Sequence, residues 1–184
     1  QNITFELSPA CYGDDASSCP DVDDDPGFLV LRGDDNTVRN LTVRNFYEGI
    51  RVKGSGNTVE NVTLERQCGD SIINDENASG NLFKGLTVTE GCKRCARLYG
   101  DPEATTGTNP READFYNATL DGVSFDGCKL PIYATDGGRF LITGTTMTDS
   151  DTSDSFTCRG PVFSTTAADD NTFVYMHSSS VSEC

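Results

Sequence analysis

The chain has 184 residues and a formal net charge of −15, from 14 Lys and Arg against 29 Asp and Glu. This length predicts one domain with its own hydrophobic core. The negative charge argues against nucleic acid or an anionic membrane surface as a partner. No apolar run approaches the roughly 20 residues that a membrane-spanning helix needs. No signal peptide is visible, and we expect the chain to begin after one has been removed.

The first 27 residues precede the first full octet, and they include the acidic segment DVDDDPG at 21–27. The acidic residues lack the spacing of an EF-hand loop and are typical of a solvated loop. We therefore predict that residues 1–27 form an N-terminal cap and an acidic loop.

An eight-residue pattern then repeats along the chain, first as NTVRNLTV at 36–43 and again as NTVENVTL at 57–64. Weaker copies begin at residues 81, 118, 140 and 171. A period of 20-odd residues with insertions indicates a solenoid with extruded loops, and segments 100–113 and 148–155 are the predicted loops.

The fifth position of this octet is Asn or Gly in the first five copies. Asn and Gly enter the left-handed backbone region at low cost, so a column of them predicts a sharp bend in each repeat. Apolar and polar residues alternate on both sides of the bend, which is the periodicity of strands. The five bend residues are Asn40, Asn61, Gly85, Gly122 and Gly144.

A further strand is predicted between successive octets. Three short strands per repeat, with a left-handed bend between the second and third, predict an all-β fold: a single-stranded right-handed parallel β-helix of about six coils. We expect one domain over residues 1–184, with coils over 28–166 and a degenerate last coil and C-terminal cap over 167–184. The predicted strands lie at 28–33, 49–54, 70–75, 95–100, 131–136 and 161–166.

The eight cysteines form an even set, which in an acidic chain indicates an oxidised, secreted, extracellular protein. A zinc site is disfavoured, since the chain has a single histidine and a single CxxC. Sequence alone allows 105 pairings. We expect a disulfide to staple each end of the solenoid, and the predicted pairs are Cys11–Cys19, Cys68–Cys92, Cys95–Cys128 and Cys158–Cys184.

Two segments, EGIRVKGSGNTVENVTLERQCGDSIIND at 48–75 and GCKRCARLYG at 91–100, resemble the pectin-lyase-like β-helix proteins. The local likeness is to the small pectate lyases of polysaccharide lyase family 3. The resemblance implies that Glu48 and Asp70 hold Ca²⁺ and that a basic side chain abstracts the proton α to a uronate carboxylate. Gly69 stands where the family has a second acidic residue, and the nearby Glu65 is the expected substitute. Ile132 stands where the family has an arginine.

Outward positions on the inter-octet strands carry basic and aromatic side chains. A face of this kind is suited to an acidic polysaccharide, because guanidinium groups clamp carboxylates and tyrosines pack against sugar rings. In a lyase, Arg97 or Lys53 is the expected base. Alternating charges on an exposed sheet are also what solubility requires, and both interpretations stay open here. The predicted substrate-binding residues are Arg32, Arg51, Tyr99 and Tyr133.

Five sequons carry the N-x-Ser/Thr signature of N-linked glycans, which we expect if the host is eukaryotic. Asn40 and Asn61 belong to the bend column, so their sequons are explained by architecture first. The cleaner candidates are Asn2, Asn77 and Asn117.

Two functions of different classes follow from the sequence. The first is a secreted β-helix that binds an acidic polysaccharide or cleaves it by Ca²⁺-dependent β-elimination. The second is a non-catalytic, glycosylated module that assembles end to end into an extracellular fibre or coat. A third, ice or crystal-surface binding, requires a regular rank of threonines, and the outward columns are expected to be mixed.

Overall fold

The structure of this chain is a computed structural model that describes residues 3–6, 28–91, 94–101, 103, 105, 108–109, 111–112, 115–128, 130–148, 162–163 and 173–182. Most of the predicted N-terminal cap and most of the predicted loop at 148–155 lie outside these residues. Within them, regular structure is β-strand and no α-helix occurs. The described part of the chain also has no helix long and apolar enough to cross a membrane.

The strands follow one another in short segments. They are β1 (Ile3–Glu6), β2 (Leu29–Leu31), β3 (Thr37–Arg44), β4 (Ile50–Val52), β5 (Thr58–Glu65), β6 (Asp70–Asn74), β7 (Asn81–Lys84), β8 (Thr87–Thr89), β9 (Arg94–Tyr99), β10 (Ala118–Asp121), β11 (Ser124–Asp126), β12 (Leu130–Thr135), β13 (Arg139–Thr143), β14 (Thr146–Thr148), β15 (Val162–Phe163), β16 (Phe173–His177) and β17 (Ser180–Ser182).

These strands form two sheets in which every described pair is parallel. Sheet A holds the octet strands, and sheet B runs in the order β2-β4-β6-β9-β12-β15. Four strands of sheet B, β2, β4, β6 and β15, fall within the strands predicted between the octets, whereas β9 and β12 each begin and end one residue earlier than predicted. Because each strand pairs with its counterpart one repeat away, the arrangement is β-helix-like, and the prediction of an all-β fold of parallel strands is confirmed.

The predicted bend is present in all five octets. The backbone φ is 58° at Asn40, 52° at Asn61, 59° at Gly85, 63° at Gly122 and 57° at Gly144. In the two Asn copies the strand runs through the bend as β3 and β5, whereas in the Gly copies it divides into two strands. The Asn and Gly column is therefore a set of left-handed turns, as the sequence indicates.

The last octet begins at residue 174, and the predicted start at 171 is wrong. Phe140, the first residue of the preceding copy, pairs with Val174. Ser178 then occupies the bend, with a φ of 50°. The letters Asn171-Thr172 resemble the start of earlier octets, but the position of the bend sets the register.

Inward columns of apolar side chains build the core. One column contributes a residue from each repeat, and its five interior members have 0% exposure. Burying each such side chain stabilises the folded state by about 1.5–3 kcal/mol, and these columns are therefore the main stabilising element. The interior members are Val43, Leu64, Val88, Phe125 and Met147.

One outward column of sheet A consists of hydroxyl side chains alone, so the expectation that all outward columns are mixed is wrong for this one. Thr146 Oγ1 donates to Ser124 Oγ at 3.3 Å within it. Cross-strand pairs of this type stabilise a sheet by roughly 0.2–1 kcal/mol each. The members are Thr4, Thr42, Thr63, Thr87, Ser124, Thr146 and Ser180.

Asparagine amides form a second ladder where the first three octets begin, and its Asn57 and Asn81 members are buried. Asn57 Oδ1 accepts from the Asn36 backbone N–H at 2.9 Å, and Asn81 Oδ1 accepts from the Asn57 N–H at 2.8 Å. Asn81 Nδ2 also donates to Gly54 O and to Asn74 Oδ1, both at 2.9 Å. The first Asn of the octet therefore satisfies backbone groups that the solenoid buries at a corner.

The predicted Cys95–Cys128 disulfide is present, with the Cα atoms 6.0 Å apart. It joins β9 to the segment before β12. In sheet B, β9 and β12 each have a neighbouring strand on both sides. This bond is therefore not an end staple. Cys68 is also disulfide-bonded, and its partner lies outside the described residues, as does at least one cysteine of each other predicted pair.

Candidate functional site

One surface of sheet B gathers charged and aromatic side chains, and we call it the arginine–tyrosine face. It consists of Arg51, Arg94, Arg97, Tyr99 and Tyr133. Arg51 of β4 and Arg97 of β9 occupy the same register column, with one rung of β6 between them. Since neighbouring strands lie about 4.8 Å apart, the two arginines are two rungs apart along the ladder.

Asp70 lies at the centre of this face, with a side chain only 4% exposed. Arg94 Nε donates to Asp70 Oδ1 at 2.7 Å, and Arg97 Nη1 donates to Oδ2 at 3.4 Å. A buried carboxylate needs such partners, because an unpaired charge in the interior costs several kcal/mol. Asp70 therefore fixes the positions of two guanidinium groups.

Both of these arginines also lie over tyrosine rings. The guanidinium carbon of Arg97 is 4.2 Å from the ring centroid of Tyr99, and that of Arg94 is 5.5 Å from the centroid of Tyr133. Each cation–π contact contributes about 0.5–1 kcal/mol at a partly exposed site. The stacking holds flat aromatic surface beside each cation.

A second ion pair borders the face one rung earlier. Arg51 Nη2 donates to Glu48 Oε1 at 2.8 Å, with the Glu48 side chain 11% exposed and that of Arg51 30% exposed. Glu48 is the neighbour of Asp70 across the ladder, since the Gly49 N–H donates to Asp70 O. The two predicted acidic residues are thus on adjacent rungs, each bound to arginine.

Three polar atoms of this region are buried and have no hydrogen-bond partner among the described residues: Glu48 Oε2, Arg51 Nε and Arg97 Nε. Buried polar atoms in folded proteins are nearly always paired with protein, water or a bound group. Two N–H donors and one carboxylate oxygen beneath this face are therefore left without a partner among the described residues.

Burial, and secondarily the charge of Arg94, lowers the pKa of Arg97 below its ordinary value, while Asp70 acts in the opposite direction. A lowered pKa is the direction that a proton-accepting role requires. The catalytic role of Arg97 stays a prediction.

The other predicted site residues lie around this face or away from it. Lys53 Nζ is 3.5 Å from Asp75 Oδ2, and Arg32 follows β2 on the exposed surface. Glu65 belongs to sheet A, where its Oε2 accepts from Arg44 Nε at 2.6 Å. The structure therefore brings Glu48 and Asp70 to one ladder but leaves Glu65 on the other sheet.

Among the described residues, no group of three or more His, Cys, Asp or Glu side chains is placed to hold a metal ion. The oxygens of Asp70 and Oε1 of Glu48 are already bound by guanidinium groups. Three of the four oxygens of these two carboxylates are thus occupied, which leaves fewer free donors than the six to eight oxygen ligands that Ca²⁺ takes.

The sequon asparagines differ in accessibility. Asn61 and Asn77 are exposed, Asn40 is half-buried, and Asn2 lies outside the described residues. Asn117 is fully buried, and its Nδ2 donates to Asp101 O at 3.0 Å and to Ala78 O at 3.3 Å. A glycan replaces one of the two Nδ2 hydrogens, so it would break at least one of these bonds. Among the described sequons, Asn61 and Asn77 are therefore the accessible positions for the predicted glycans.

The fold and this face together define a class: an all-β, β-helix-like protein that presents a cationic and aromatic surface on one parallel sheet. Comparison with family models, with curated proteins and with solved structures gave no significant match for this chain.

Proposed function

We propose that the arginine–tyrosine face binds an acidic, uronate-containing polysaccharide outside the cell. The observation that carries the proposal is the fixed pair of Arg94 and Arg97, held by Asp70 and stacked on Tyr133 and Tyr99. Three guanidinium groups here face two carboxylates, so the face is net cationic on a chain whose net charge is −15.

The chemistry of such a face matches an acidic glycan. A guanidinium group donates two parallel hydrogen bonds to a carboxylate, and a tyrosine ring packs against the apolar face of a sugar. Because the ion pairs and ring contacts already order the arginines, less conformational entropy is lost on binding.

The scaffold we propose for this function is a single domain over residues 1–184, built as a single-stranded right-handed parallel β-helix of about six coils with disulfide-stapled ends. A pectin-lyase-like relationship accords with the parallel ladders and the left-handed bends. In a catalytic form, Arg97 or Lys53 takes the proton α to the uronate carboxylate. The appearance of unsaturated uronide absorbance on polygalacturonate establishes cleavage, and its absence on all uronate polymers leaves binding alone.

Substituting Arg97 tests the binding function. We expect Arg97→Gln to weaken affinity for oligogalacturonate about tenfold, because the loss of one charge-assisted hydrogen bond corresponds to about 1.5 kcal/mol or more. Isothermal titration calorimetry measures the effect. Arg44→Gln is the matched control, since Arg44 is also ion-paired but lies on sheet A. Equal affinities of the wild type and Arg97→Gln would show that the arginine–tyrosine face is not the binding site.

End-to-end assembly is a second candidate, favoured by the two ends of sheet A. The core column that contains Val43 and Met147 continues to Phe5 in β1 and to Val181 in β17. These terminal members are 42% and 44% exposed, whereas the interior ones are fully buried. Because the two ends differ, stacking one copy on the next is head-to-tail and generates an open filament.

A charge at the exposed end tests this assembly. We expect wild-type protein to form elongated particles by electron microscopy and Val181→Glu to remain monomeric, since a carboxylate cannot be buried unpaired in an apolar junction. Ser182→Glu places the same charge on the neighbouring outward position of β17 and serves as the control. Dispersed wild-type monomers at high concentration contradict the fibre function.

A further inference from the structure

We propose that the arginine–tyrosine face binds uronate carboxylates directly through its guanidinium groups, without a bridging calcium ion. This inference rests on the proposed polysaccharide-binding function. It departs from the expectation, drawn from the likeness to pectate lyases, that Glu48, Glu65 and Asp70 hold Ca²⁺ between protein and substrate.

The first step is the occupation of the acidic side chains. Asp70 accepts from Arg94 through one oxygen and from Arg97 through the other. Glu48 accepts from Arg51 through Oε1. A calcium ion would have to displace these donors, and the partly buried guanidinium groups would then lose their counter-ions.

The second step is the placement of the third carboxylate. Glu65 ends β5 in sheet A, and the segment 66–69 carries the chain across to β6 in sheet B. Its carboxylate is bound by Arg44, 2.6 Å away. Two carboxylates remain on the face, and three of their four oxygens are already paired with guanidinium groups.

The third step is the charge that the ligand meets. Arg51, Arg94 and Arg97 together outnumber Glu48 and Asp70, so a divalent cation is repelled and a carboxylate is attracted. The guanidinium groups neutralise the substrate carboxylate in the way that a bound metal ion would. The side chains of Arg51, Arg94 and Arg97 are 30%, 17% and 28% exposed, so an entering carboxylate can reach their guanidinium groups.

The test is titration of the full chain with short oligogalacturonate in EDTA and again in millimolar CaCl₂. We expect dissociation constants within about twofold of each other, and a marked weakening at high salt because the contacts are ionic. Binding that needs calcium, or that is at least tenfold tighter with it, overturns the inference and leaves the proposed function standing. Absence of binding under both conditions overturns the proposed function and the inference together.

A variant pair sharpens the result. We expect Arg51→Gln to weaken binding in EDTA about tenfold, since it removes a cation from the face, and Arg44→Gln to leave it unchanged. Wild-type affinity of Arg51→Gln in EDTA contradicts a direct role for this guanidinium. Circular dichroism of both variants verifies that the fold is retained.

Discussion

Asn81→Ala is expected to destabilise the protein by about 3–5 kcal/mol, because three buried groups lose their partner at once and each orphan costs about 1–3 kcal/mol. The groups are the Asn57 N–H, the Gly54 carbonyl and Asn74 Oδ1. Asn81 is 1% exposed, so water cannot replace the lost bonds. For a chain of this size, the melting temperature falls by about 10 °C.

Thermal and urea denaturation followed by circular dichroism measure this effect. Asn77→Ala is the control, because Asn77 lies on the exposed surface a few residues earlier and its replacement is expected to change stability by less than about 0.5 kcal/mol. If Asn81→Ala and Asn77→Ala have the same melting temperature and the same urea midpoint, the asparagine ladder is not a major stabilising element.

The ladder shows what the sequence predicts about the fold and what it leaves out. Repetition of the octet predicts the repeat and the left-handed bend, because a positive φ selects Asn or Gly at a single position. The first Asn of the octet recurs just as clearly at 36, 57 and 81. Its role depends on which backbone groups are buried at the corner of the neighbouring repeat. The pairing register of the strands decides this, and the sequence pattern does not show it.

The difference between sequence pattern and strand register also explains which residues of the arginine–tyrosine face the sequence predicted and which it missed. Alternation along the strands places Arg51, Arg97 and Tyr99 outward, and the structure finds them on one face. Arg94 was missed, because strict alternation assigns Arg94 and Arg97 to opposite sides. Cys95 and Ala96 are buried in succession and interrupt the alternation, so both arginines reach Asp70.

Glu65 illustrates the opposite error. It lies five residues before Asp70, and this short separation suggested a shared metal site. The separation includes the passage from sheet A to sheet B, where Arg66 has a φ of 58°. Proximity in sequence therefore does not become proximity of side chains across a corner of the solenoid.

Gly49→Ala is expected to damage both the fold and the arginine–tyrosine face. A Cβ at this position would overlap the backbone carbonyl oxygen of Ser71 in β6 and lie 3.3 Å from Leu64 Cδ1. A backbone oxygen cannot rotate away as a side chain does, so β4 and β6 must separate. Overpacking of this kind costs about 3 kcal/mol.

Gly122→Ala is the informative comparison. Gly122 has a φ of +63°, and no atom lies within 4 Å of the Cβ position, so alanine there meets backbone strain of about 1–2 kcal/mol without collision.

Gly49 adjoins Glu48, which binds Arg51, whereas Gly122 lies at a bend of sheet A. We therefore expect Gly49→Ala to lose stability and oligogalacturonate affinity together, and Gly122→Ala to lose stability alone. Denaturation and calorimetric titration of the two variants measure both properties, and unchanged affinity in folded Gly49→Ala shows that the face does not depend on close approach of β4 to β6.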